Sequence, residues 1–500
     1  MECPTSCTLV LNAVCQGQTQ CATLTPTRTP TVTATPTATR TPTRTPTLTV
    51  TRTATRTLAR TPTLTNTPTP TNTPTATRTL PPGSVELLSV SIRGQSGNGP
   101  SAGPAANADG CRVAFFSDAT DLVRGDRNVV RDVFLRDRCA GVTTLVSVNS
   151  AGAQANAASH AQGGAPAVTA GGHSVAFYSE ATNLVPDDTN GDADVFVRDL
   201  DTEITERVSV SSSGVQGNGP SLYPSISADG RFVAFQSQAS NLVPGDTNGT
   251  TDIFVRDRRS GTTERACNGT QGNGASVTPS INADLGFVTD GRFVAFASAA
   301  SNFVLNDTNG RIDIFVCDRQ TSAIHRVSVS SAGQQGNGDS ILPSISADGR
   351  IVAFKSAANN LVSNDRNDTF DVFVHDEEGG STTERLSVSP AGGNADDASF
   401  PPSLSAVGRY VTFGSAATNL VARDFNSVPD VFVRDRGDNQ TRLVDVNVED
   451  EQANAGAPDA APSISRDGRV VSFASLASNL VEGDFNQASD VFAKVNPFTP

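Results

Sequence analysis

The 500-residue sequence has no tryptophan, one methionine, three tyrosines and four histidines. Lysine occurs only at Lys355 and Lys494, so arginine carries nearly all the positive charge. Each shortage removes a class of function. Sugar-stacking platforms need exposed aromatics; Tyr178, Tyr223 and Tyr410 are the only tyrosines, and the phenylalanines mostly hold repeated, core-like positions. His160, His173, His325 and His375 are scattered, and His160 and His173 fall toward different ends of one strand, a poor metal pair. No Gly-x-Ser-x-Gly elbow supports a nucleophilic serine. No apolar run reaches the roughly 20 residues of a membrane-spanning helix. Thr8–Val14 is short and lacks a basic lead, so no signal peptide is expected in the sequence as it stands.

Charge is unevenly placed. The formal net charge is −14, but residues 24–82 hold seven arginines and no acid, and residues 1–23 hold Glu2 alone, which leaves −20 on residues 83–500. Such a body does not attract a phosphate backbone, so nucleic acid is excluded as a partner. Residues 24–82 are a Thr/Pro/Arg low-complexity tract, too poor in apolar side chains to offset the entropy of ordering. They read as a disordered, semi-rigid linker or stalk, with surface glycosylation as the sharper alternative. Residues 1–23 form a short Cys-rich segment. Cys3, Cys7, Cys15 and Cys21 suggest a small disulfide knot; zinc is the weaker alternative, because no Cys-x-x-Cys knuckle or nearby histidine is present.

Residues 83–500 carry a repeat of about sixty residues. Asp-[Val/Ile]-Phe occurs at Asp132, Asp194, Asp252, Asp313, Asp371, Asp430 and Asp490, at spacings of 62, 58, 61, 58, 59 and 60. Upstream of each lies Phe-x-Ser, at Phe115, Phe177, Phe235, Phe296, Phe354, Phe413 and Phe473. Between Pro224 and Ala266 one unit reads as four short strands separated by Gly/Asp/Asn turns, with Asp229-Gly230 as a hairpin signal. Val85–Ser91 matches a fourth strand, and the last copy stops after its third. The ends therefore complete one unit together, which removes two exposed sheet edges. The expected fold is all-β: a seven-bladed β-propeller of four-stranded blades, closed by the N-terminal strand. Cys111 and Cys139 bracket neighbouring strands of blade 1, so a disulfide fits there; Cys267 and Cys317 lie in different blades and are expected to remain thiols.

Each loop between second and third strands carries Asp-x-Asn-x-x-x-Asp. Alternating oxygen side chains on a tight loop suit a hard cation such as calcium. Blade 2 is the fullest candidate, with Asp188, Asn190, Asp192 and Asp194; blade 3 offers Asp246, Asn248 and Asp252. The competing reading is turn-capping by Asp and Asn, favoured because a residue present in every blade belongs to the scaffold. A second recurring asparagine, at Asn98, Asn156, Asn218, Asn273, Asn337, Asn394 and Asn454, reads as a loop-to-loop hydrogen bond. The serine of Phe-x-Ser reads as bonding backbone within its blade. Blade 4 alone inserts Leu285–Asp290 at its first hairpin, either a tolerated extension or a partner contact.

Pro224-Ser-Ile-Ser-Ala-Asp-Gly-Arg-Phe-Val-Ala-Phe, its counterparts from Pro343 and Pro462, and Asp252-Ile-Phe-Val-Arg-Asp resemble the TolB-like, WD-like propeller repeat of bacterial proteins. The resemblance covers the ring and implies fold. TolB has six blades and an N-terminal α/β domain, absent here, so its envelope-complex role is not carried over, and the Trp-Asp pair of true WD repeats has no tryptophan to form it. The function expected is that of an extracytoplasmic, non-catalytic binding module that takes a protein or small ligand on its long-loop face or in its central channel. The alternatives are a calcium-stabilised structural ring and, last, a lyase or hydrolase using channel-mouth carboxylates.

Overall fold

The computed structural model describes residues 83–499 apart from 268–270, 285, 287–288, 378–379 and 458–460. The expected cysteine knot and Thr/Pro stalk lie outside the described residues. Every sheet has four antiparallel strands, and there are seven sheets among the described residues. Blade 3 is representative, with strands Ser221–Ile226, Phe232–Ser237, Asp252–Asp257 and Thr262–Arg265 in spatial order. First strands of successive blades touch one another around the ring, so they line the axis and the fourth strands form the rim.

The two sequence anchors are cross-strand partners. Phe235 pairs with Phe254, and in all seven blades the paired rings lie 5.8–6.1 Å apart. Alternation along the strands sends side chains to both neighbours: Phe235 packs with Val195 and Val197 of blade 2, while Ala234 and Val255 join the cluster shared with blade 4. Each interface between blades is thus a separate hydrophobic core.

Closure is as the strand count implied. Val85–Leu87 pairs with Asp490–Val495 as the outer strand of blade 7. Leu88, which follows it, is buried with Val491 and Ala493 of blade 7 and Phe115 and Phe134 of blade 1. On the short-turn face the first hairpins form a ring of backbone bonds: Ala108 N–H donates to Ala170 O, Ala170 to Ala228 O, Ala347 to Ala406 O, Ala406 to Arg466 O, and Asp467 to Ala108 O. Blade 4 breaks this ring, and the last residue of its insertion repairs it. Asp290 accepts from the backbone N–H of Ala228 and Asp229 at 2.8 and 3.0 Å. The insertion is therefore part of the blade-to-blade contact on that face.

The disulfide Cys111–Cys139 is present, with Cα atoms 5.4 Å apart. Cys267 and Cys317 are not thiols: they form a disulfide across blades 3 and 4, with Cα atoms 5.8 Å apart. The reason lies in the repeat. Cys317 holds the third-strand position from which Arg198, Arg256 and Lys494 reach back to a carbonyl at the exit of the preceding blade. Cys267 sits at that exit in blade 3, so the same contact is made covalently.

Two outcomes follow. Leu88→Ala leaves a cavity where the ends meet and is expected to cost about 2–5 kcal/mol in denaturant unfolding; a loss below about 1 kcal/mol would argue against closure by this strand. Alkylation of the native protein should leave Cys111, Cys139, Cys267 and Cys317 unlabelled by mass spectrometry until a reductant is added.

Candidate functional site

The repeated Asp and Asn form one buried node per blade, joined in five blades by a serine just past the fourth strand. In blade 2 the Ser209 hydroxyl donates to Asp194 Oδ1 at 2.5 Å and accepts from the Val195 N–H. Asn190 Nδ2 donates to Asp194 Oδ2 and to the carbonyl of Gly217 in the following inter-blade loop. Arg207 lies 3.3 Å from Asp188 and 3.4 Å from Asp194, and Gln216 Nε2 donates to both carboxylates. Of Asp192, only its N–H bond to Asn190 Oδ1 is part of this network. Blade 3 repeats the arrangement: Asn248 bonds both oxygens of Asp252, Gln271 donates to Asp246 Oδ1, and Arg265 stands 3.7 and 3.4 Å from Asp246 and Asp252. In both loops, arginine supplies the positive charge that a calcium ion would bring. Among the described residues no three His, Cys, Asp or Glu side chains converge as a metal donor set.

The other repeated polar residues are also accounted for. The Asn-to-carbonyl bond recurs in every blade and ends with Asn486 donating to Gly97 O across the closure. The Phe-x-Ser serine accepts the N–H two residues on in all seven blades. Asn98, Asn156, Asn218, Asn273, Asn337 and Asn454 make the expected loop-to-loop bonds. Asn394 does not. Asp396 takes the role there, accepting from Thr418 N–H and Oγ1–H, because Asn394 lies six residues after Val388, the place that Gln216 holds after Val210.

The charged member of the node varies by block. The arginine closing the fourth strand in blades 2 to 5 (Arg207, Arg265, Arg326, Arg385) is leucine in the contiguous blades 6, 7 and 1 (Leu443, Leu87, Leu145). Burial raises the third-strand carboxyl in every blade, and in blades 2 to 5 the arginine opposes the rise. Without it, burial drives Asp132 and Asp430 up to about 6 and Asp490 up to about 7. Blade 6 goes further, since Asp445 replaces the node serine and burial beside Asp430 pushes its carboxyl well above the ordinary range.

The seven-fold pattern breaks most sharply near the axis, at the long-loop end of the blades. Three equivalent positions meet there: the fifth residue of the second strand, the residue before the third strand, and the residue after the serine of the next blade that bonds its Phe-x-Ser serine. From blade 4 to blade 5 these are small or aliphatic: Ala297, Ile312 and Ile341. From blade 1 to blade 2 they are Phe116, Arg131 and His160. Blade 2 also places six residues between Ser159 and Pro166, where blade 3 places two between Ser221 and Pro224. The Arg131 guanidinium lies 4.9 Å from the Phe116 ring centroid and pairs with Asp118 through two bonds of 2.8 and 3.0 Å. His160, fully buried, stacks on Phe116 at 5.8 Å and lies 4.3 Å from Tyr178. Burial lowers its pKa to about 3, so the ring is neutral. Its Nδ1 faces the Gly164 carbonyl, which can only accept, so Nδ1 carries the proton, and Nε2 has no hydrogen-bond partner. Tyr178 donates to Gly163 O and Tyr223 to Gln162 O, so both phenols hold the insertion. Tyr223 itself sits at a bulge in its strand with φ +51°, a strained conformation for a bulky residue. Sequence reasoning passed over this cluster; the unequal Ser-to-Pro spacing was the signal for it.

No family model and no curated protein matches the chain. Solved structures do. An oligogalacturonate lyase in complex with manganese is similar over 84% of this chain and 99% of its own, with 11% identity and a TM-score of 0.50. An oligogalacturonate lyase of Vibrio parahaemolyticus matches 83% of this chain and 98% of its own at 11% identity, TM-score 0.48. TolB from Acinetobacter baumannii matches 61% of this chain and 59% of its own at 20% identity, TM-score 0.34. At these identities the likeness concerns the propeller fold.

The node chemistry fixes a pH dependence. A buried carboxyl with a raised pKa binds its proton more tightly in the folded than in the unfolded chain. Its stabilisation is complete below the unfolded value of about 4 and is lost as pH rises through about 6 to 7. Carboxyls lowered by folding, such as Asp199 and Asp435, act in the opposite sense only below about 4; His160, buried neutral, opposes the trend below about 6.5 but is outnumbered by the raised carboxyls Asp132, Asp430, Asp445 and Asp490. The melting temperature should therefore be higher at pH 5 than at pH 8, and Leu443→Arg should raise the pH 8 value by on the order of 2 °C. A melting temperature that climbs between pH 5 and pH 8 would contradict this account.

Proposed function

We propose that the ring is a non-catalytic, extracytoplasmic binding module whose ligand, a protein or small molecule, sits on the long-loop face at the channel mouth over blades 1 to 3. The observation that carries this reading is the four-residue insertion ahead of the first strand of blade 2, held by Tyr178, Tyr223 and His160. A largely exposed loop segment on a rigid platform is where recognition tends to be carried. Two disulfides support an oxidising compartment. No helix among the described residues is long and apolar enough to cross a membrane.

A phage-displayed peptide library selected on the whole protein provides the test. Selected peptides should lose at least tenfold in affinity when residues 162–165 are deleted, which restores the blade 3 spacing, or when Tyr223 is changed to Ala. Affinities unmoved by both changes would refute a site at this mouth. The enzyme alternative takes its substrate from the lyase likeness: oligogalacturonate with manganese should give no unsaturated product absorbance, and turnover would overturn the non-catalytic reading.

A second reading, a calcium-stabilised ring, draws on blades 1 and 6. There leucine leaves no arginine between the carboxylates, and Asp132, Asp424 and Asp430 each keep a buried oxygen without a hydrogen-bond donor. It predicts that a chelator lowers the melting temperature of the wild-type ring and not of Leu443→Arg with Leu145→Arg; an unchanged wild-type melting curve would end it.

A further inference from the structure

The three mouth positions break the pattern a second time. From blade 5 to blade 6 they are Lys355, Phe370 and Phe400, the counterparts of Phe116, Arg131 and His160. Cation and ring have exchanged places: the Lys355 ammonium lies 4.3 Å from the Phe370 ring centroid and 5.6 Å from that of Phe400. All three residues are half-buried.

What differs is the counter-charge. Arg131 is neutralised by Asp118, the residue directly after the Phe-x-Ser serine of blade 1. The corresponding residue in blade 5 is Ala357, which is exposed. Lys355 makes no ion pair or hydrogen bond among the described residues. Burial alone lowers its pKa, and among the described residues no carboxylate opposes the fall. A half-buried ammonium held against two rings, with no protein anion to pair with, gains from an anion that arrives from outside. On a ring of charge −20 this is an unusual place for an unmatched cation.

We propose that the half-buried cluster of Lys355, Phe370 and Phe400 between blades 5 and 6 is a second ligand site, in which Lys355 binds the carboxylate of a small organic anion whose apolar body packs against the two rings. The ligand carboxylate takes the role that Asp118 plays for Arg131. The two phenylalanines select against small hydrophilic anions, since acetate offers no surface to cover them. The proposal does not depend on the mouth of blades 1 to 3, because no residue is shared between the two.

Benzoate is the probe, with titration calorimetry on the whole protein. Saturable binding in the millimolar range is expected, about 4 kcal/mol, with acetate at least tenfold weaker. Lys355→Met keeps the length of the side chain and removes the charge; it should abolish benzoate binding, while Lys355→Arg retains it. Phe400→Ala should weaken benzoate and leave acetate unchanged. Absence of saturable benzoate binding to the wild type, or equal binding to Lys355→Met with an unaltered melting curve, would overturn the proposal. Peptides selected at the blade 1 to 3 mouth should bind Lys355→Met normally, so failure here is separable from failure there.

Discussion

The buried carboxylate at the head of each third strand is the joint on which the ring depends. In five blades one oxygen takes a serine hydroxyl from just past the fourth strand, and in blade 2 the other takes the loop asparagine, whose second proton goes to the next inter-blade loop. Three chain segments that share no strand pairing on that face are thereby tied to one residue. The bond is strong because it is buried and charge-assisted, and the same burial makes the carboxylate costly wherever a partner is lost. Every variation in the repeat can be read as a different answer to that cost.

Blades 2 to 5 answer it with arginine and a second aspartate, which yields a small closed set of charges under the long loops. Blade 3 lacks the serine; Cys267 stands in its place and is tied to blade 4, while Asn248 covers both oxygens of Asp252. Blades 6, 7 and 1 have no arginine to oppose burial, and their carboxyls, raised to about 6 or 7, take up protons in mildly acidic solution. The ring is therefore uniform in shape and divided in electrostatics, with the divide placed around the closing blade.

Much of this was legible in the sequence because propeller repeats write their core twice per blade, once as Phe-x-Ser and once as Asp-[Val/Ile]-Phe. Those anchors proved to be cross-strand partners, and the missing fourth strand of the last copy proved to be Val85–Leu87. The Cys267–Cys317 bond escaped because residues fifty apart in different blades become neighbours only once the third-strand position is known to lean backward. The mouth cluster escaped for a related cause. Phe116, Arg131 and His160 lie on three separate segments, and periodicity along one strand cannot bring them together. The role given to Asn394 went astray because Asn394 and Asp396 both fit a loop asparagine until the partner, Thr418, is in view.

The outer strand of blade 7 has one further consequence, in the order of synthesis. Val85–Leu87 leaves the ribosome about four hundred residues before Asp490–Val495, the strand it must join. The six complete blades can each form their sheet as they emerge, but blade 1 keeps an uncovered side, and the waiting strand an unpaired edge, until the chain is almost finished. The last pairing is thus the slowest to become possible and the one on which protection of the first-made core depends.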